Sequence, residues 1–137
     1  MTTSINVRNY MNLRPTKVVS TTTLGELTKI LADNHVNGAP VVNSNNEIIG
    51  FVSEQDCIKQ LLLGSYHCDQ PATVADVMRR AVVSVKPDDS IIDLAEQMGD
   101  HQPKTYPVTE NGKLVGVLTR QHVLAGLEKN QQHCGAW

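Results

Sequence analysis

Ile48-Ile49-Gly50-Phe51-Val52-Ser53-Glu54-Gln55-Asp56 is the stretch whose reading decides the fold. Its apolar half ends at a hydroxyl residue and a carboxylate follows three positions later, the order expected where a strand runs straight into a helix. At such a junction the Ser53 hydroxyl accepts a free backbone N–H, and Asp56 falls in the first helical turn, where the helix dipole favours negative charge. The pattern returns 66 positions later in Leu114-Val115-Gly116-Val117-Leu118-Thr119-Arg120-Gln121-His122, with an imidazole in place of the carboxylate.

Working outward, the rest of the chain divides the same way. At an offset of 67, Val7 meets Val74, Met11 meets Met78, Val18 meets Val85, Leu24 meets Ile91, Leu27 meets Leu94 and Pro40 meets Pro107. One residue fewer in the second copy, between Asn43 and Gly112, resets the offset to 66, at which Ile48 meets Leu114, Gly50 meets Gly116, Ser53 meets Thr119 and Leu61 meets Leu127. Agreement in type and order over such a length marks an internal repeat.

Each copy opens with a short helical turn (5–11; 73–78) and a small β-branched strand (17–19; 82–85). A helix follows, capped by Thr22-Thr23 or Asp89-Ser90 and apolar at helical spacing through Leu24, Leu27, Ile30 and Leu31, or Ile91, Leu94, Ala95 and Met98. Two strands (40–42 and 48–52; 107–109 and 114–118) then flank tight turns rich in Asn and Gly. The second strand of each pair is nearly continuously apolar, which implies burial on both faces. A closing helix carries Cys57, Ile58, Leu61 and Leu62 in one copy and Val123, Leu124 and Leu127 in the other. The order is β-α-β-β-α twice, in the mixed α/β (α+β) class, with repeats at 5–63 and 73–128, a polar linker at 64–72 and a polar, fraying tail at 129–137. Halves of about sixty residues bury too little to stand alone, so the two are expected to pack together with pseudo-two-fold symmetry.

Composition narrows the function. With 12 basic against 14 acidic residues and no basic run, the chain lacks the footprint of a nucleic-acid or anionic-membrane binder. The apolar runs are too short for a membrane span and the start lacks a signal-peptide profile, so a cytoplasmic location is expected. Three cysteines without secretory features read as reduced thiols. His67-Cys68 and His133-Cys134 recur at the offset of 66 and contain the donors of a tetrahedral zinc set, but adjacent ligands placed in a linker and a tail are unlike zinc spacings, and no metal site is expected. There is no nucleophile elbow, P-loop, HExxH or dinucleotide fingerprint, and Asp88-Asp89 reads as a turn and helix start, so the chain is not read as an enzyme.

The whole arrangement resembles a tandem pair of CBS domains, the regulatory unit called a Bateman module, over roughly residues 5–128. The resemblance is carried by Val7-Arg-Asn-Tyr-Met11 and Val74-Ala-Asp-Val-Met78, by Asn34-His-Val-Asn-Gly-Ala-Pro-Val-Val42, and by Gly50-Phe-Val-Ser-Glu-Gln-Asp56, in two copies and in order. It implies a cleft between the repeats that takes an adenosine derivative, AMP, ADP, ATP or S-adenosylmethionine, as a regulatory ligand with no cofactor required. Asp56 then corresponds to the carboxylate that hydrogen-bonds the ribose, and Ser53 to the hydroxyl contacting ribose or phosphate. Thr16 and Val18 correspond to strand positions lining the adenine, and Val36, Asn37, Gly38, Ala39 and Pro40 to the loop whose backbone reads its edge. Physical chemistry fits: a carboxylate at a helix start accepts two hydrogen bonds from a vicinal diol, and small residues such as Gly38 and Ala39 admit a planar ring.

The second copy departs from this pattern. His122 replaces the aspartate, Pro103-Lys-Thr-Tyr-Pro107 replaces Val36-Asn-Gly-Ala-Pro40, and Tyr106 stands where Ala39 does. One competent site organised by Asp56 is therefore expected, with Lys104, Thr119, Arg120 and His122 forming a second, weaker site or reaching a ligand's phosphates. The expected role is energy or metabolite sensing by a homodimer that controls a separate, unidentified protein. The alternative is a structural dimerisation module whose ligand sites have decayed.

Overall fold

The computed structural model describes residues 5–63, 71–98 and 104–134, the side chains of 131–134 excepted. His67 and Cys68, most of the 64–72 linker, Pro103, Trp137 and the side chains of His133 and Cys134 lie outside the described residues. The chain forms two compact units, Pro15–Val82 and Met1–Arg14 together with Val83–Trp137. These do not coincide with the sequence repeats, because each copy's opening turn packs in the unit built from the other copy.

In the Pro15–Val82 unit, β1 (Gly38–Val42) pairs antiparallel with β2 (Ile48–Ser53), Gly38 opposite Ser53 and Ala39 opposite Val52. Val18 adds a parallel bridge to Val41 on one side, and Arg79 an antiparallel bridge to Phe51 on the other. Helix α1 (Leu24–Asp33) starts at Thr23, whose hydroxyl accepts the Glu26 amide while Glu26 reaches back to the Thr23 amide. The helical spacing resolves as expected: Leu24, Leu27 and Leu31 are buried, each contributing on the order of 1.5–3 kcal/mol. They pack with Val18, Ala39, Val41, Val52 and Cys57 of helix α2 (Glu54–Leu63). Val74, in the short helix α3 (Val74–Val77), completes this core fully buried, its amide donating to the Thr22 carbonyl at 2.8 Å.

The other unit has the same internal plan. A 3-10 turn (Val7–Asn9) precedes α4 (Ile91–Gln97), β3 (Thr105–Glu110), β4 (Lys113–Thr119) and α5 (Arg120–Cys134). Val85 bridges Val108 and Asn12 bridges Val117, while Val7, Ile91, Leu94, Tyr106, Leu118 and Val123 form the core. Among the described residues no helix is long and apolar enough to cross a membrane.

The expected first strands shrink to single bridges, and proline explains why. Val18 donates to the Pro40 carbonyl and accepts from Val42, so extending the parallel ladder back to Thr16 would require an N–H on Pro40. Pro107 blocks the ladder before Val85 in the same way. Burial on both strand faces holds only in part, since Gly50 and Val52 are buried in β2 whereas Ile48, Ile49 and Phe51 are half-covered. The expected hairpin turns are present, with positive φ at Asn46, Asn111 and Gly112. The expected frayed tail is instead helical through Cys134, its Lys and Gln residues being good helix formers. Of the apolar residues on the closing helices, Cys57 and Val123 are buried, but Ile58, Leu61 and Leu124 are more than half exposed.

Candidate functional site

At the β2–α2 junction, Ser53 and Asp56 form a reciprocal cap. The Asp56 amide donates to Ser53 Oγ at 3.3 Å, and Asp56 Oδ2 accepts from the Ser53 amide at 3.0 Å and hydroxyl at 2.9 Å. The other carboxylate oxygen, Oδ1, accepts from Arg79 Nε at 3.3 Å. With both oxygens covered, the Asp56 side chain is only 11% exposed, while that of Arg79 is 65% exposed.

Arg79 went unnoticed in the sequence. It is held by two backbone bonds with Phe51 (2.9 and 2.8 Å) along the free edge of β2. Gly50 makes this possible, because a Cβ there would lie 2.9 Å from the Arg79 carbonyl oxygen and 2.8 Å from Met78 Sδ.

The 36–40 loop abuts the junction, with the Glu54 amide donating to the Asn37 carbonyl at 2.8 Å and Gly38 facing Ser53 across the strands. Several side chains here serve the fold. Val18 and Ala39 belong to the core, Pro40 is buried, and the bare Cα of Gly38 accommodates the Phe51 ring, 2.8 Å from where a Cβ would stand. Thr16 and Val36 are half-buried and Asn37 is exposed. Because Pro40 has no N–H to offer, the Thr16 carbonyl lacks the ladder partner it would otherwise have. Beneath the junction, burial pushes the Cys57 thiol up, and Asp56 and Glu54 push the same way, which suits an inert packed thiol.

The corresponding junction, β4–α5, reproduces the cap with an imidazole. His122 Nδ1 accepts from the Thr119 amide at 3.0 Å, and the His122 amide donates to Thr119 Oγ1 at 3.3 Å. This bonding requires an unprotonated Nδ1, and burial holds the His122 pKa below its ordinary value, so hydrogen bonding and desolvation both favour the neutral ring. The Arg120 amide donates to the Lys104 carbonyl at 3.1 Å, which puts these two cationic residues side by side in the chain path. Tyr106 is a core residue, 2% exposed, whose hydroxyl burial pushes up in pKa and the Arg120 charge opposes. Asn12 occupies the place of Arg79, bridging β4 as Arg79 bridges β2.

A cavity of about 290 Å³ lies in this second unit, walled by Val83, Val85, Asp89, Asp93 and Tyr106. It contains the counterparts of Thr16, Val18 and Ala39 but neither Thr119 nor His122, and its two carboxylates are unsuited to a phosphate. Ser53, Asp56 and Arg79 do not line it, and they carry the polar chemistry. Among the described residues no cluster of His, Cys, Asp and Glu could hold a metal ion.

Comparison with known proteins identifies the family and the fold. The CBS domain family profile matches residues 7–63 and 74–129. A protein of Methanocaldococcus jannaschii, MJ1225, is 28% identical over 113 residues, covering 82% of this chain and 39% of the relative. The chain thus spans about two fifths of that relative and, at 32%, about a third of a second one, MJ1232 of the same organism. Among solved structures, CBSX2 of Arabidopsis thaliana in complex with AMP is 25% identical, with a TM-score of 0.77 over 90% of this chain and 96% of that one. The CBS domain pair of MJ0100, solved with 5′-methylthioadenosine and S-adenosyl-L-methionine, shares the fold at a TM-score of 0.78 and 20% identity over 93% of this chain and 98% of that one. With both halves matched, the chain belongs to the CBS domain family and carries two copies of the domain.

Proposed function

We propose that this chain is a cytoplasmic, ligand-sensing regulatory module that binds an adenosine derivative at the Ser53–Asp56 junction and signals to a partner protein. The observation carrying this reading is the Asp56 carboxylate, oriented by Ser53 on Oδ2 so that Oδ1, the oxygen Ser53 leaves unused, lies beside the exposed Arg79 cation. A ribose diol can donate to that oxygen, with the Thr16 carbonyl and the side chain of the exposed Asn37 as further polar contacts for the base. The AMP complex of CBSX2 supports an adenosine nucleotide as the ligand. Lys104, Thr119, Arg120 and His122 form the weaker site: the imidazole at 122 replaces a two-oxygen acceptor with one ring nitrogen already engaged by Thr119. Output follows from population shift, the ligand favouring whichever arrangement it binds more tightly. The chemistry is binding alone, with no step that calls for a nucleophile or general base.

A second reading, a structural dimerisation module with decayed sites, draws on Ile58, Leu61 and Leu124, whose exposed apolar surface suits a second copy of the chain. Thermal unfolding with AMP, ATP, S-adenosylmethionine and adenosine separates the two. A ligand that binds the folded state adds RT ln(1 + [L]/Kd) to its stability, about 2.7 kcal/mol at a hundred times Kd, and raises Tm. An unchanged Tm with every adenosine compound would leave the structural reading standing.

A further inference from the structure

We propose that Arg79 is the specificity-determining residue of this site, selecting an anionic adenosine ligand, a nucleoside phosphate, over a neutral nucleoside or a cationic sulfonium analogue. The inference rests on the reading that Asp56 holds the ribose. Ser53 occupies Oδ2 with two hydrogen bonds, so a ribose hydroxyl must approach Oδ1, and Oδ1 is the oxygen that Arg79 Nε already contacts. Any diol bound there lies against the guanidinium. Only Nε of the five guanidinium N–H donors faces Asp56, and the side chain is largely exposed, so its outer edge presents a planar fork suited to two phosphate oxygens. The group is placed by backbone: two bonds to Phe51, and the close passage that Gly50 permits.

The second unit supplies an independent comparison. At the position of Arg79 it carries Asn12, whose Oδ1 turns to its own chain and accepts from the Arg14 amide at 3.0 Å. At the position of Asp56 it carries His122. Acid and base occur together in one unit and are both lost in the other, as expected of two groups that serve one ligand. A helix cap alone would not require the pair, because the Thr119–His122 cap forms with Asn12 in the place of Arg79.

The test is calorimetric titration of the full chain with AMP and with adenosine at one ionic strength, for the wild type, Arg79→Gln, Arg79→Lys and Arg80→Gln. The wild type is expected to bind AMP more tightly than adenosine. Arg79→Gln should weaken AMP by about 10- to 100-fold, the scale of a charge-assisted hydrogen bond, and leave adenosine within about twofold. Arg79→Lys, which keeps the charge but not the fork, should fall between, and Arg80→Gln, an exposed neighbour with the same charge change, should resemble the wild type. Equal losses for AMP and adenosine in Arg79→Gln, or an equal AMP loss in Arg80→Gln, would overturn the role of Arg79. So would a wild type that binds both ligands equally, though that result leaves the ribose role of Asp56 intact. A wild type that binds neither removes that role and this inference with it. Should Arg79→Gln fail to melt cooperatively, the AMP-to-adenosine ratio of Arg79→Lys against Arg80→Gln decides.

Discussion

Gly50→Ala tests whether Met78 and Arg79 are seated on β2 as described. The added Cβ would stand 2.9 Å from the Arg79 carbonyl oxygen and 2.8 and 3.2 Å from Met78 Sδ and Cγ. The methionine can rotate aside, but the carbonyl cannot, because Arg79 is tied to Phe51 by bonds of 2.9 and 2.8 Å. Either the clash is kept as overpacking strain of about 1–3 kcal/mol, or the strands separate and weaken the two hydrogen bonds, worth about 0.5–1.5 kcal/mol each. A destabilisation of about 1–3 kcal/mol is expected. Gly25→Ala serves as the opposite case: it lies in α1 with its nearest neighbour 4.0 Å from the new Cβ, so removing a helical glycine should stabilise by about 0.5–1 kcal/mol. Urea unfolding followed by circular dichroism measures both, at constant m-value. If Gly50→Ala shifted stability by less than about 0.5 kcal/mol, or changed it in the same direction as Gly25→Ala, the close passage of residues 78 and 79 over β2 would be refuted.

Two further outcomes follow from the helix starts. Thr23→Ala removes the acceptor for the Glu26 amide and the partner of the Glu26 carboxylate, and should cost about 1 kcal/mol in chemical denaturation; a neutral result would mean that the cap is not formed in solution. His122 titrates below its ordinary value of 6.5 in the folded chain, so between the folded value and 6.5 the unfolded chain binds more protons. The stability contributed by the neutral ring is fully present above pH 6.5 and declines as pH falls through that value toward the folded pKa. The stability difference between wild type and His122→Asn should therefore shift against the wild type on acidification, and parallel pH profiles would show that the imidazole is not held neutral.

Much of the fold was legible because the chain states it twice. Leu24, Leu27 and Leu31 fall on one helical face, the Asn and Gly turns sit where φ becomes positive, and Ser53–Asp56 does form a cap. Which unit each opening turn joins was not legible: Val7 and Val74 are equivalent in sequence, so periodicity reads the same whether the turn packs with its own copy or the other. The shortened first strands were inferable, since Pro40 and Pro107 visibly remove the amides that a longer parallel ladder needs. Gly38 and Ala39, small residues expected to admit a ring, also serve packing, since Phe51 lies on Gly38 and Ala39 is in the core. Arg79 was missed because it lies between a helical turn and a strand, outside any motif. Its signal was comparative: Asp56 becomes His122 and Arg79 becomes Asn12, two coordinated changes that acquire meaning only once the structure places them 3.3 Å apart in one unit.

The central claim is that Asp56 is a ligand group as well as a cap. Titrating AMP into wild type and Asp56→Asn separates the two roles, because Asn retains a side-chain oxygen to cap Ser53 but loses the charge that binds a diol. Saturable binding to the wild type, falling at least about tenfold in a variant that still melts cooperatively, is the predicted result. Equal AMP affinity in both proteins, or none in the wild type, would contradict it.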